Sequence, residues 1–326
     1  MTEEPAPPTP PSPPPPARSG GGGGGGGGND PDGPYANRRR IWVTLAWTFA
    51  GSVVAQFAVL AYLSALGHGV EEMQDGLAAL SPFSLAAVIG LNQALSYLIP
   101  GAVAAYTLYG SAWLREVRAA PGPLWWQIPL GLVVLVACLP LTAALAAVNA
   151  GVELAEWQSG VESNVAEVLA RLISAEGAGG LAVALFVVGV LPALGEELVF
   201  RGLLQPAFVR ATGSVHVGVW VTALAFGLVH FQFAGLLPRV FLGAVLGFLV
   251  AYSGRLWVAV AAHFLFNGAQ VVALRLGYIE ADASAAAAQR VATWQLAAAF
   301  VVAGAALYVL LPRLRPAPPR RAPTEP

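Results

Sequence analysis

Apolar runs of about 20 residues recur through the whole middle of this chain, and they leave few folds open. They fall at roughly 41–64, 84–109, 128–149, 181–205, 215–237, 236–254, 256–275 and 293–311. As helices rising about 1.5 Å per residue, such runs cross a hydrocarbon core of about 30 Å. In lipid each backbone amide must find its partner within the protein, so serial runs of this kind imply a helical bundle. The expected fold is all-α, a polytopic membrane bundle with about eight transmembrane helices. Composition agrees, since 11% of residues are charged against about 25% in a soluble domain. The fifth and sixth runs compete for Gly235 to Leu237, so their hairpin is expected to be short or partly re-entrant.

The ends read differently. Residues 1–37 are proline-rich and then run through glycine from Gly20 to Gly28, and residues 312–326 are proline- and arginine-rich. Neither can bury enough apolar surface to fold, so both are expected as disordered tails around a membrane domain at 38–311. No secretory signal is expected at the start. All 17 basic residues are arginine, a coding bias of GC-rich bacterial genomes. Twelve of them lie on the side that holds both termini; only Arg171, Arg275 and Arg290 lie opposite, and Arg201 and Arg239 fall within spans. Arginine excess marks the cytoplasmic side, so the expectation is a multi-pass inner (cytoplasmic) membrane protein with both termini cytoplasmic. The loop from Gly151 to Glu176 carries five glutamates at helical spacing and predicts an amphipathic surface helix. Cys138, the single cysteine, sits in an apolar run and reads as a small buried hydrophobe.

Against this apolar ground three polar islands stand out. They are Glu196-Glu197 with Arg201, Phe226 with His230, and His263 with Asn267. Ionisable groups are costly in a bilayer and tend to face a protein interior or a wet cavity, where they mark function. The islands can share a depth. From span midpoints, Glu196 lies about 4 to 5 Å and His263 about 3 Å to the cytoplasmic side, and His230 about 6 Å to the outer side. His263 and Asn267 are four apart and share a helix face, as do Phe226 and His230. Glu197 and Arg201 are also four apart and can pair. Glu196 is rotated about 100° from Glu197. The economical assignment pairs Glu197 with Arg201 and leaves Glu196 for chemistry; the swapped assignment stays open.

The ordered triplet EExxxR, FxxxH and HxxxN on separate membrane helices resembles the CPBP family of intramembrane peptidases. That family includes the type II CAAX prenyl endopeptidases and bacterial members linked to bacteriocin processing and self-immunity. The resemblance covers about Leu181 to Leu274, with all three motifs intact. It implies that Glu196 and His230 hold and activate the attacking water, and that His263 and Asn267 bind the oxyanion. It implies a supporting role for Arg201 and Phe226, with Glu197 beside them at the centre. In a metal version, zinc would be ligated by Glu196, His230 and His263, three protein ligands with one open position. No HExxH helix is present, and glutamate-activated water is the favoured form.

The expected activity is hydrolysis of a peptide bond in a membrane-embedded or lipidated peptide or protein, with the lipid bilayer as the other partner and no nucleic acid. Two rivals come from other classes. One is a non-catalytic self-immunity or membrane-protein scaffold. The other is a proton-coupled transporter, for which internal repeats would speak. Isolated readings are blander: a lone histidine or asparagine often only joins helices. His68 and His216 match no motif. Arg239 is expected to snorkel from a span end or, less simply, to meet a substrate carboxylate. Gly243 and Gly247 form a small-residue stripe suited to internal helix packing.

Overall fold

The fold is given by a computed structural model, and the structure describes residues 33–67, 77, 80–279 and 292–316. Among them there is no strand. Nine helices carry the architecture: α1 (Pro34–Ala65), α2 (Pro82–Glu116), α3 (Gln127–Ala150), α4 (Glu156–Ile173), α5 (Gly177–Thr212), α6 (Val215–Leu228), α7 (Leu236–Ser253), α8 (Leu256–Arg275) and α9 (Thr293–Leu310). Seven helices among the described residues are long and apolar enough to cross a membrane. The all-α polytopic bundle is therefore as expected. His68, Arg290 and most of both tails lie outside the described residues.

The fifth expected span differs. Helix α6 has 14 residues, about 21 Å at 1.5 Å per residue, which falls short of a 30 Å core. It stops at Leu228, and Phe231 takes a left-handed φ of 53° that turns the chain back toward α7. Non-helical backbone at this depth needs protein partners, and neighbours supply them. Asn149 on α3 donates to the Phe233 carbonyl at 2.8 Å and accepts from the Leu237 amide at 2.7 Å. Glu162 on α4 accepts from the Ala234 amide at 2.8 Å. Arg239 donates to the Gln232 carbonyl at 2.9 Å. The competition for Gly235 to Leu237 thus resolves as a short helix, a supported loop and α7.

The tails are also trimmed. α1 begins at Pro34, where the fixed φ of proline suits a first helical position. At the other end Leu314 is buried, and its carbonyl accepts from Gln127 at 2.8 Å. The amphipathic helix read between Gly151 and Glu176 is α4. It packs against α2, α5, α8 and the loop after α6.

Small residues set the helix spacing around the centre. A Cβ at Gly195 of α5 would stand 2.9 Å from the Leu98 amide and 3.0 Å from Tyr97 Cβ on α2. On α7, a Cβ at Gly243 would meet Ala223 and Phe226 at 3.2 Å, and one at Gly247 would meet the Gln205 side chain at 2.7 Å. The glycine stripe therefore packs internally. It also bares the Gly243 and Gly247 carbonyls, which accept from Arg201 and Gln205 at 3.0 Å.

The approach of α2 to α5 at Gly195 leaves no room for a methyl group. Gly195→Ala is expected to destabilise the protein by about 1–3 kcal/mol through overpacking. Gly304→Ala on α9, where a Cβ meets nothing within 4 Å, should be neutral. Thermal unfolding of both variants in detergent checks the contrast.

Candidate active site

α5 is not a regular helix. Its segments Leu185–Val190 and Leu198–Leu204 are π-wound, with the α-helical turn Leu191–Glu197 between them. α2 carries a third π segment, Ala94–Leu98. Wide turns of this type leave carbonyls out of the regular ladder and often accompany functional sites. Here Glu196 and Glu197 end the α-helical turn of α5, while Gln93 immediately precedes the π segment of α2.

The two carboxylates face different partners. Glu197 and Arg201 are 0% and 1% exposed. Arg201 Nη1 donates to Glu197 Oε1 at 2.9 Å, and Nη2 donates to the Gly243 carbonyl of α7. His263 Nδ1 lies 2.8 Å from the same Glu197 Oε1. A carboxylate paired with arginine accepts, so His263 Nδ1 carries the proton and Nε2 points onward. The Arg201 guanidinium also stacks 4.3 Å over the Phe226 ring. Phe226 in turn meets the rings of His230 at 5.0 Å and His263 at 5.8 Å, edge to face.

Glu196 turns toward an open cavity of about 1640 Å³ between the helices, whose lining includes Glu196, His230, His263 and Asn267. Its Oε1 accepts from Gln93 Nε2 at 3.0 Å. Its Oε2 is buried without a hydrogen-bond partner. That atom lies 3.9 Å from His230 Nε2 and 4.0 Å from His263 Nε2. His230 Nδ1 lies 2.7 Å from the Phe226 carbonyl, which can only accept, so this nitrogen also carries the proton. With both imidazoles neutral, two ring lone pairs and one carboxylate oxygen converge with no hydrogen between them. The arrangement calls for a bridging proton donor or a cation.

Zinc has the right ligand chemistry for this trio, but the spacing is wide. Ligands at about 2.0–2.2 Å on a tetrahedral ion stand about 3.4 Å apart, less than either measured edge. Among the described residues no group of three His, Cys, Asp or Glu side chains is disposed to hold a metal ion. As placed, the residues do not fit it.

All three sequence motifs thus reach one locality. Asn267 lines the cavity with one amide hydrogen given to the Val188 carbonyl at 3.0 Å. His216 packs on Phe248 away from the centre. Arg239 lies at the start of α7, the span end expected, and lines the cavity. Sequence reasoning missed Gln93, Asn149 and Glu162. The pair Asn92-Gln93 inside an apolar span was a usable signal, and Asn149 and Glu162 offered none without knowledge of the loop they support.

A buried carboxylate and two imidazoles thus open onto one cavity inside an apolar, membrane-type helical bundle. Residues 178–269, which carry all three motifs, match the family model described as type II CAAX prenyl endopeptidase Rce1-like. The resemblance read from EExxxR, FxxxH and HxxxN is borne out over that region. Two curated proteins of Bacillus subtilis (strain 168) are similar to it. "Uncharacterized protein YpbD" is 27% identical over 97 residues, 28% of this chain and 47% of that protein. "Putative membrane peptidase YdiL" is 32% identical over 72 residues, 22% of this chain and 29% of that protein. The chain thus spans less than half the length of these curated relatives. No solved structure matches the chain significantly.

Breaking the buried pair leaves one charge uncompensated. Glu197→Gln is expected to cost about 3–5 kcal/mol, and the double variant Glu197→Gln/Arg201→Met should recover much of that loss. Melting temperatures of the single and double variants in detergent test the coupling.

Proposed function

We propose that this chain is an intramembrane endopeptidase, hydrolysing a peptide bond of a membrane-associated or lipid-modified peptide or protein. The observation that carries this reading is the unpartnered Oε2 of Glu196, facing two imidazole Nε2 atoms on the wall of an intramembrane cavity. The Rce1-like match over 178–269 and the printed name of one relative support a peptidase.

The 3.9 Å between Glu196 Oε2 and His230 Nε2 is too long for a direct hydrogen bond. One water oxygen at about 2.8 Å from each fills the gap and donates a hydrogen to both. Glu196 takes a proton as that oxygen attacks the substrate carbonyl, then returns it to the leaving amine. Gln93 occupies Oε1 and so leaves Oε2 to face the water. The oxyanion meets the second amide hydrogen of Asn267. Donors fixed in a dry site are worth about 3–4 kcal/mol of barrier. Arg201 and Phe226 hold Glu197 and the two rings in place. We draw the reaction without a metal, because the trio stands too wide for one.

The arginine distribution supports a reading with both termini on the cytoplasmic side of a bacterial inner membrane. The α6–α7 pair returns to its side of entry and so keeps that parity.

The test compares peptide termini in membranes from cells carrying the wild type or Glu196→Gln, at equal expression. Specific new termini are expected with the wild type only; matching profiles would contradict the reading and favour a binding scaffold. Gln93→Leu should lower cleavage by about 10²-fold with an unchanged melting temperature. Cleavage should persist in the presence of a strong zinc chelator.

A further inference from the structure

Arg239 is a cation in the same cavity that the proposed chemistry does not use. It lies in the first turns of α7, and it lines the cavity together with Glu196 and His230. Its hydrogen-bond partners among the described residues are two neutral oxygens of Gln232, the carbonyl at 2.9 Å and the side-chain Oε1 at 2.5 Å. Two carboxylates stand on neighbouring elements, Glu162 on α4 and Glu196 on α5. Neither makes an ion pair with it: Glu162 accepts from the Ala234 amide, and Glu196 from Gln93. Arg201, buried in α5, has Glu197 at 2.9 Å. Arg239 has no carboxylate at ion-pair distance among the described residues.

A charge in such surroundings is expensive unless something pairs with it, and an intramembrane arginine usually faces its functional partner. Tying the Gln232 loop uses only two of the five guanidinium hydrogens. The remaining donors are free for a planar oxyanion, which they match in fork geometry. The lining of the cavity that Arg239 shares is mainly apolar, with Leu139, Pro140, Leu242 and Ala299 among its residues.

We propose that Arg239 is an anion-binding subsite of this cavity, taking a carboxylate or phosphate carried by an otherwise apolar ligand. The ligand's identity rests on the peptidase reading: a peptide substrate brings a carboxylate, whereas a lipid brings its phosphate. In either case the subsite sorts cavity ligands by charge.

The experiment uses full-length Glu196→Gln protein, which binds without cleaving, in phosphatidylcholine nanodiscs. The probes are dansyl-Ala-Leu-Val-Ala with a free C-terminal carboxylate, the same peptide as its amide, and dodecyl phosphate as competitor. Binding is read by energy transfer from tryptophan, one of which, Trp294, lines the cavity. The free acid is expected to bind about tenfold more tightly than the amide. A second substitution, Arg239→Gln, should abolish that preference, whatever it costs amide affinity through the Gln232 loop. Arg239→Lys should keep part of it. Displacement of the acid by dodecyl phosphate only at high concentration assigns the subsite to peptides. A preference confined to dodecyl phosphate and lost in Arg239→Gln assigns it to lipid. Equal binding of all three probes, a preference that survives Arg239→Gln, or no binding at all overturns the proposal. An Arg239-dependent preference in a protein that yields no new termini would keep the subsite and remove the peptidase reading.

Discussion

One carboxylate oxygen joins three helices. Glu197 Oε1 takes hydrogen bonds from Arg201 on its own helix and from His263 on α8, while Arg201 reaches the Gly243 carbonyl on α7. Buried charges of this kind persist only when each is paired and hydrogen-bonded, so the geometry is tightly specified. The consequence for the site is directional. With His263 Nδ1 fixed on Glu197, its Nε2 has to face Glu196, and with Glu197 occupied the adjacent carboxylate is left to the cavity. Two neighbouring glutamates acquire different roles through the 100° step of the helix and the partners that each one meets.

Packing around this core follows from what small residues allow. Glycines at 195, 243 and 247 bring α2, α5, α6 and α7 close enough for side chains to reach backbone carbonyls. The early stop of α6 puts His230 at the mouth of a loop rather than in mid-helix. Asn149, Glu162 and Arg239 then satisfy the amides and carbonyls that the loop exposes. α4 is part of that support: Trp157 packs edge to face on Phe233 at 5.6 Å while Glu162 holds the next amide. The surface helix and the histidine loop are therefore one mechanical unit.

Much of this was legible in the sequence, and the reasons are physical. Apolar runs specify membrane helices strongly because lipid leaves the backbone no other partner, so seven long helices and the amphipathic α4 stand close to their predicted places. The spacing of Glu197 and Arg201 anticipated their pairing, since i and i+4 residues meet on a helix. Gln93 was visible only as a polar residue in an apolar span and Asn149 not at all, because their roles depend on contacts 103 and 84 residues away in sequence. The end of α6 was only half visible: hydropathy continues through Phe231 and Phe233, whereas the turn is set by partners on other helices. Arg239 read as a snorkelling side chain because depth along a span says nothing about which way a cavity opens.

The central claim is that Glu196 activates a water rather than attacking the peptide itself. Single-turnover cleavage by the purified protein in water enriched in oxygen-18, using a substrate identified from cellular termini, separates the two directly. The account predicts one heavy oxygen in the new C-terminal carboxylate in the first turnover. An unlabelled product with the heavy oxygen in the Glu196 carboxylate would contradict it.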